Sequence, residues 1–352
     1  MKHYVSVDVG GTKVLGGVAT EGGEVLARSK EKTERGAKKK LLEQIERVIE
    51  NSIASANLSP GDIAGYSLNV PGVVDSQTGY VVSTPNAPLS DTQLGAHISQ
   101  KFGAPAIIGN DASVGVIGEY WKGAAKGAES AYGIFVGTGI GGGLVLNGKL
   151  IEGYRGLGGE IGNLMIPLDA DEIAGMLTKK HTHLEDLCSR TAIENQLRHA
   201  ILNEGQKSVL TEIVGEKKLE RIRSKALKEA LRRKDPLVTD VMRRASFLLG
   251  LTTASVLHVV DPEVIVFGGG VIEACGDFML PLIEKTAHKV AMVGNGKPLK
   301  IVRSSLGDDA ILLGGVALLR ERNFPERIYT APVSSKNGKR PLAQVDKPLD
   351  IP

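Results

Sequence analysis

Short apolar runs and longer amphipathic stretches alternate through the first 122 residues of the chain. The runs rich in strand-forming residues are 3–7, 14–19, 24–27, 63–70, 80–82 and 106–108. The stretches predicted to be helical are 37–56, 91–102 and a segment that continues to about Trp121. Strands that alternate with helices in this way indicate an α/β domain.

The strand–turn–strand pattern of the N-terminus recurs from residue 131. Strands are predicted over 131–136, 144–146, 149–151, 264–267 and 300–303. Helices are predicted over 188–204, 236–258, 273–291 and 308–322. Because the chain repeats one pattern about a domain apart, with a glycine-containing crossing at 123–127, two related α/β domains are expected. From residue 324 the chain is rich in proline and charge, which predicts an extended tail.

The composition is that of a soluble globular protein. Hydrophobic residues make up 42% of the 352 residues and charged residues 24%. No apolar run reaches the roughly 18 residues of a membrane span, and the N-terminus lacks the apolar core of a signal peptide. Cys188 and Cys275 lie far apart, which fits a reducing cytoplasm better than a disulfide scaffold. We therefore expect a cytoplasmic protein with no membrane partner.

Nucleic acid is not an expected partner either. The net charge of +3 is small, and an aromatic content of 4% offers few side chains for base stacking. A basic stretch covers residues 217–234, but its apolar residues recur at helical spacing. This spacing favours a solvated helix face over a nucleic-acid patch.

Three glycine turns are candidate sites for phosphate or nucleotide. They are Asp8-Val9-Gly10-Gly11-Thr12-Lys13, Gly137-Thr138-Gly139-Ile140-Gly141-Gly142-Gly143 and Gly268-Gly269-Gly270. Glycines let the backbone approach a phosphate closely, and successive N–H groups form an anion-binding concavity. The carboxylate of Asp8 can hold a hydrated Mg²⁺ against that phosphate. Each turn alone could be a simple hairpin or packing turn, but two of them in related halves suggest a cleft that grips a polyphosphate from both sides.

Two carboxylates are placed where a sugar could be bound. Asp111 follows a buried strand and lies near a helix N-terminus, which keeps a carboxylate ionised and fixed. The alternative is that Asp111 only caps the helix. Glu160 is flanked by glycines, so its side chain is expected to be presented to a ligand. Carboxylates and amides bind sugar hydroxyls because they accept hydroxyl hydrogens in a fixed geometry.

Seven motifs occur in one order along the chain. Besides the three glycine turns they are Val70-Pro71-Gly72, Pro85-Asn86-Ala87-Pro88, Asn110-Asp111-Ala112 and Gly159-Glu160-Ile161-Gly162. From about residue 4 to 320, this series resembles the repressor–ORF–kinase (ROK) family of sugar kinases. The resemblance implies an α/β, two-domain actin/hexokinase-like (ribonuclease H-like) ATPase fold with a central cleft. We expect the first domain to comprise 1–122 plus 307–323, the second 123–306, and the tail 324–352.

The resemblance also implies a role for each site residue. Asp111 matches the catalytic base, and Asp8 matches the position that holds Mg²⁺ through water. The sugar-contacting positions are Asn86, Asn110, Glu160, Asn163 and Glu185. The positions expected to bind ATP are Asp8, Gly10, Gly11, Thr12, Lys13, Gly137, Thr138, Gly139, Gly268 and Gly269. The expected partners are a small-molecule sugar and, in a homodimer, a second copy of the chain.

The chain departs from the family pattern at the usual zinc site. Asn163 stands where the family usually has a histidine that holds structural zinc, and the cysteine-rich zinc loop is absent, so no structural zinc is expected. His181 and His183, with Cys188 nearby, are an alternative metal site, although solvated loop histidines are favoured. Only seven residues precede Asp8, so the helix-turn-helix of the family's repressors is not expected.

The expected activity is ATP-dependent phosphorylation of a hexose, with glucose as substrate, its 6-hydroxyl as acceptor and Asp111 as general base. Three alternatives remain open: a kinase for fructose, mannose or an N-acetylhexosamine, a glucokinase that uses polyphosphate, and a sugar-binding protein without catalysis. The presence of Asp8, Asp111 and both phosphate turns favours a kinase over a binding protein.

Overall fold

A computed structural model of the chain describes residues 1–166, 182–215, 219, 222–292 and 294–321. Its strands are β1 (His3–Val9), β2 (Lys13–Thr20), β3 (Val25–Lys32), β4 (Ile63–Val70), β5 (Val73–Asp75), β6 (Tyr80–Ser83), β7 (Ala106–Asn110), β8 (Ser130–Val136), β9 (Ile140–Leu146), β10 (Lys149–Leu150), β11 (Val264–Gly268) and β12 (Lys300–Arg303). Each predicted strand is present, and most are longer than the sequence pattern indicated.

The described helices surround these strands. They are α1 (Lys38–Ser55), α2 (Leu94–Phe102), α3 (Asp111–Lys122), α4 (Leu184–Cys188), α5 (Arg190–Leu202), α6 (Leu210–Val214), α7 (Ser224–Arg232), α8 (Pro236–Val259), α9 (Gly270–Val290) and α10 (Asp309–Glu321). The helix predicted over 188–204 is confirmed over 190–202, and Ser189 separates it from the short α4. The Ser189 side chain accepts a hydrogen bond from the Ala192 N–H and so starts a new helix at Arg190.

Two five-stranded sheets share one topology. The first has the order β3-β2-β1-β4-β7 and the second β10-β9-β8-β11-β12. In both, the first strands pair antiparallel and the last three run parallel. β5 and β6 form a separate small ribbon. The repeated strand–turn–strand pattern of the sequence is thus a repeated sheet.

The parallel pairing places Asp8 and Asp111 at the carboxyl-terminal edge of the first sheet. Asp8 lies opposite Asn69 in the register of β1 and β4, and Val70 lies opposite Asn110 in the register of β4 and β7. The carboxyl ends of neighbouring parallel strands are where open α/β sheets bind ligands.

The second glycine turn is shorter than the sequence suggested. Only Gly137, Thr138 and Gly139 lie between β8 and β9, while Gly141, Gly142 and Gly143 belong to β9. A Cβ on Gly141 would lie 2.6 Å from the Cβ of Ala112, and one on Gly143 would lie 2.7 Å from the Cα of Ser113. The strand glycines therefore let β9 pack directly against the first turn of α3.

Two main hydrophobic cores correspond to the two sheets. One is built around β1, β4 and α1, and the other around β8, β11, α8 and α9. A smaller cluster between them joins α3 to α10, and α10 also packs against β1 and β4. This last helix thus packs against the first sheet although it follows the second sheet in the chain. The domain boundaries themselves stay a prediction, and the tail at 324–352 lies outside the described residues.

None of the described helices combines the length and the apolar character that crossing a bilayer requires. The described part of the basic stretch includes α7, where Leu227 and Ala230 are buried and Arg232 and Arg233 pair with Glu229. This arrangement matches the solvated helix face that was favoured for the stretch.

Candidate active site

Asp111 is the first residue of α3, directly after β7. The helix is capped by Asn110, whose Oδ1 accepts a 3.0 Å hydrogen bond from the Ser113 N–H. The N-cap residue is therefore Asn110 and not Asp111. Asp111 Oδ1 accepts a 2.8 Å hydrogen bond from the Ala112 N–H. Burial raises the pKa of Asp111, and the hydrogen bond from Ala112 opposes that change.

Asp8 lies beside Asp111, near the end of β1. Its side chain is buried, with 6% of the residue exposed. Burial raises the pKa of Asp8 to about 7, with a further contribution from the Asp111 carboxylate and an opposing one from Lys13. Within the described residues, no hydrogen bond reaches the Asp8 carboxylate. It is thus a buried acid that lacks a compensating donor, the kind of group that a cation would stabilise.

Glu160 faces Asp111 from the loop that follows β10. Burial raises the pKa of Glu160, and the charges of Asp111 and then Glu185 add to the rise. The Asn163 amide opposes it by donating a 3.2 Å hydrogen bond to Glu160 Oε2. The loop is fixed by the hydroxyl of Tyr132, which donates to the Gly159 carbonyl at 3.1 Å. The charges of carboxylates from the two sheets therefore act on one another at this site.

The first phosphate turn is held by its carbonyl groups. Gly10 N donates to the Lys13 carbonyl at 2.9 Å, which closes the turn. The Thr33 hydroxyl donates to the Gly10 carbonyl at 2.6 Å. The N–H groups of Gly11 and Thr12 carry no hydrogen bond within the part of the chain that the structure describes. These two groups are therefore available to an anion.

Two charged residues flank this turn. Arg35 donates to the Gly11 carbonyl through Nε at 3.0 Å and Nη2 at 2.6 Å. Lys13 forms an ion pair with Asp308, which also pairs with Lys30 at 3.2 Å. The Lys13 ammonium, a predicted ATP contact, thus already has a carboxylate partner from the segment before α10.

The second phosphate turn contacts the start of α5. Gly137 N donates to the Gly139 carbonyl at 2.9 Å, and Arg190 N donates to the Gly137 carbonyl at 2.9 Å. The Arg190 guanidinium donates to the Thr138 hydroxyl at 2.7 Å. A Cβ on Gly137 would meet nothing closer than the Gly139 carbonyl oxygen at 3.9 Å, so open space adjoins the turn.

Glu185 is bound to the same turn. Its Oε2 accepts a 2.7 Å hydrogen bond from the Ile140 N–H and would lie 2.2 Å from a Cβ on Gly139. A side chain at position 139 would therefore displace the Glu185 carboxylate. The exposed Glu185 carboxylate thus fixes the turn, and its charge acts on Glu160.

The predicted adenosine turn has a strong packing requirement. A Cβ on Gly268 would lie 2.5 Å from the Phe135 ring, and Gly269 has a φ of 82°. A Cβ on Gly269 would also lie 2.6 Å from the Val136 carbonyl oxygen, immediately before the second phosphate turn. The packing explains both glycines and brings them next to Gly137.

Asn86 and Asn110, both predicted to contact the sugar, occupy different environments. Asn86 is exposed, and its Cβ would lie 2.8 Å from a Cβ on Gly11, so it adjoins the first phosphate turn. Asn110 uses its Nδ2 to donate to the Gly72 carbonyl at 3.1 Å and its Oδ1 to cap α3. Asn110 therefore fixes the loop and the helix on either side of Asp111, in addition to any contact with a sugar.

The alternative metal site is not assembled by the described residues. Cys188 is buried in the second core, where its thiol donates to the Ala245 carbonyl and burial raises its pKa to about 12. A thiol is a metal ligand only as the thiolate, so this environment disfavours Cys188 as a ligand. His183 pairs with Asp186, and His181 lies outside the described residues.

Two residues of the site were missed by the sequence patterns. The sequence pattern predicts only that Arg190 lies in a helix. Its place at a helix start becomes visible in the structure, where Ser189 separates α4 from α5. Asp308 follows a glycine and precedes a helix, a common arrangement that gives no indication of its partner Lys13, 295 positions away.

Comparisons with known proteins show the family to which the chain belongs. The ROK family model matches residues 4–322 of the chain. The chain is 30% identical over 326 residues to a glucokinase of Thermotoga maritima, covering 90% of this chain and 97% of that protein. It is 29% identical over 331 residues to a glucokinase of Halalkalibacterium halodurans, covering 91% of this chain and 96% of that protein.

A solved structure shows the same fold. It is a ROK family glucokinase from Streptomyces griseus in complex with glucose and AMPPNP, which superposes with a TM-score of 0.76 at 27% identity. The match covers 91% of this chain and 99% of that chain. The expected α/β actin/hexokinase-like fold is thereby confirmed.

Proposed function

The chain belongs to the ROK family, and on this premise we propose that it is a sugar kinase that transfers the terminal phosphate of ATP to glucose. The observation that supports the proposal is that Asp111, Asp8 and Glu160 lie close enough for their charges to act on one another, with the glycine turn at 10–13 shortly after Asp8. Kinases of this kind work mainly by positioning and charge stabilisation, and such an arrangement supplies both.

Asp111 is the proposed general base. It accepts the proton of the sugar hydroxyl, taken to be the 6-hydroxyl, as that oxygen attacks the phosphorus. Burial raises the pKa of Asp111 above that of an ordinary carboxyl group. A raised pKa favours proton acceptance, because a base is most effective when its pKa lies near the working pH.

The sugar is held from both sides of the cleft in this proposal. Glu160 and Glu185 come from the second sheet's side, and Asn86 and Asn110 from the first. Asn163 orients Glu160 through their hydrogen bond and is placed to reach a hydroxyl of its own. Carboxylates and amides on two sides fix which hydroxyl faces Asp111.

The donor phosphates are bound by the N–H groups of the two phosphate turns, with the adenosine next to Gly268 and Gly269. The buried carboxylate of Asp8, which no described hydrogen bond reaches, fits a role in holding Mg²⁺ through water. When bound, Mg²⁺ screens the charge of the transferring phosphate. We further propose that the protein acts in the cytoplasm as a homodimer, without a membrane or nucleic-acid partner.

The test is ADP release measured over a panel of sugars, with ATP and polyphosphate compared as donors. We expect ATP with glucose to give the highest kcat/KM, ahead of fructose, mannose and N-acetylglucosamine. Sugar binding by calorimetry without phosphate transfer to any sugar would contradict the kinase and support the non-catalytic alternative.

A further inference from the structure

Arg190 is fixed at the second phosphate turn by a set of directed contacts. Its Nη2 donates to the Thr138 hydroxyl at 2.7 Å, and its Nε lies 3.2 Å from Glu194 Oε1 one helical turn further along α5. Its side chain is 29% exposed. Within the described residues no hydrogen bond uses Nη1, so part of the fork remains available to a ligand.

The turn does not need this guanidinium for its own structure. The Thr191 hydroxyl donates to the Thr138 carbonyl at 2.8 Å, and Arg190 N already holds the Gly137 carbonyl. The side chain of Arg190 therefore adds a charge at an exposed hydroxyl beside open space. Ordering the long arginine side chain at this place costs conformational entropy, and binding of a ligand can offset that cost.

Arg190 belongs to a group of arginines around Glu194. Burial raises the pKa of Glu194, and Arg190, Arg198 and Arg223 oppose that rise by their charges. Three arginines thus act on the one carboxylate of Glu194. At the first phosphate turn, Lys13 is paired with Asp308. Arg190 is also paired with Glu194, but its Nη1 is used by no described hydrogen bond.

We propose that Arg190 binds the phosphate chain of the donor at the second turn and so determines preference for a donor with an extended chain of phosphates. A guanidinium fork matches two phosphate oxygens at once, which an ammonium does not. Glu194 and Thr138 hold the fork in place before the donor arrives, so little side-chain freedom is lost on binding.

This inference rests on the proposed function, since it assigns a residue to the donor site of that reaction. It concerns affinity for phosphate, so it can be measured by binding as well as by turnover. The probes are ADP, adenosine and inorganic tripolyphosphate, studied by calorimetry on the full chain.

The experiment compares the wild type with Arg190→Gln and Arg190→Lys. Because a hydrogen bond to a charged group is worth about 1.5–3 kcal/mol, Arg190→Gln should weaken ADP and tripolyphosphate by about tenfold or more. Adenosine affinity and the KM for glucose should change less than about twofold, because neither ligand contains the phosphate chain. The phosphate affinities of Arg190→Lys should lie between those of the wild type and Arg190→Gln, because lysine keeps the charge but lacks the planar guanidinium.

Arg244→Gln is the matched control, because Arg244 is also in a helical ion pair, with Asp240 on α8. It should leave all affinities unchanged. Unchanged ADP affinity in Arg190→Gln would overturn the inference, as would an equal loss for ADP and adenosine, which marks a structural role. Should the wild type bind ADP but phosphorylate no sugar, the proposed function fails, and the affinities still decide the role of Arg190.

Discussion

Glu119 and Ser304 lie 185 positions apart in the chain, yet the Ser304 hydroxyl donates a 2.6 Å hydrogen bond to Glu119 Oε1. Glu119 is fully buried near the end of α3. It also accepts hydrogen bonds from the N–H groups of Ala124 at 2.8 Å, Ser305 at 3.2 Å and Leu306 at 3.0 Å. One carboxylate thus ties together the two segments that cross between the sheets.

Glu119→Gln should destabilise the protein. All partners of the carboxylate donate hydrogens, so the amide NH₂ of glutamine must face an N–H group and leave buried donors unsatisfied. The expected loss is about 3 kcal/mol, the upper end for a hydrogen bond to a charged group. Urea denaturation and thermal melting measure it.

The exposed Glu284 on α9 provides the control for Glu119. Glu284→Gln makes the same chemical change without burial, and should stay within about 0.5 kcal/mol of the wild type. Equal urea midpoints for the two variants would mean that the contacts of Glu119 do not stabilise the crossing.

Gly118 and Gly314 let α3 and α10 touch through their backbones. A Cβ on Gly118 would lie 1.9 Å from the Ala310 carbonyl oxygen, and one on Gly314 would lie 1.8 Å from the Val114 carbonyl oxygen. Gly314→Ala must therefore push the helices apart and should cost about 1–3 kcal/mol or more. A melting temperature lowered by several degrees is expected.

Gly36→Ala is the matched change for Gly314, since a Cβ at position 36 meets nothing within 4 Å. It should leave the melting temperature unchanged or slightly raise it, because alanine restricts the unfolded chain. A Gly314→Ala protein with the wild-type melting temperature would show that the two helices can separate without a loss of stability.

Regular features of the fold were predictable from the sequence because they are local. The period of apolar residues gave α1, and strand-forming runs gave β4 with the same limits, 63–70, that the structure has. The repeat of the strand–turn–strand pattern predicted two related sheets. Motif order suggested the fold, which the family match and the solved relatives confirm.

Long-range partners were not predictable, because nothing in the local sequence encodes them. Glu119 resembles any helical glutamate until Ser304 is placed beside it. The glycine-rich sequence predicts a turn at Gly141 and Gly143. Their tight contact with α3, which explains why glycines stand in a strand, is visible only in three dimensions. Asn110 caps the helix, and not Asp111, which is the next residue. This difference of one position decides which of the two side chains remains available for chemistry.

The stability of the metal-free protein should depend on the pH through Asp8. Its pKa rises from 3.8 in the unfolded chain to about 7 when folded. Between these values the folded protein binds a proton that the unfolded chain does not, so the free energy of unfolding falls as the pH rises from about 4 to 7. The loss can reach about 4 kcal/mol, and chelator-treated protein is the sample to measure.

Asp8→Asn supplies the comparison for this pH dependence. Asparagine does not titrate, so the decline between pH 4 and 7 should be reduced in the variant. The two proteins should have similar stability near pH 4, where Asp8 is neutral. A decline of equal slope in both would assign the pH dependence to other groups.

Folding should not require zinc. By the resemblance drawn from the sequence, Asn163 replaces a zinc-binding histidine. In the structure, Cys188 is buried in the core as a thiol. Elemental analysis should find no zinc after chelator treatment, with an unchanged melting temperature. Stoichiometric zinc that is lost together with stability would contradict this and direct attention to His181 and His183.

Asp111→Asn should separate chemistry from binding. The substitution removes the proton acceptor while preserving size, and general-base catalysis contributes about 10²–10⁴-fold. We therefore expect kcat to fall by that factor, equivalent to roughly 3–5 kcal/mol of barrier. Glucose affinity should change much less, because the amide can still contact the hydroxyl.

Stability is the second readout for Asp111→Asn. Asn110 caps the helix and is untouched, and a neutral amide avoids the desolvation that raises the pKa of Asp111. The variant should therefore melt at or above the wild-type temperature. Asp240→Asn, on the exposed face of α8, makes the same change away from the site and should keep full kcat. A stable Asp111→Asn protein with near-normal kcat would refute Asp111 as the base and leave the cluster of carboxylates as a site for binding alone.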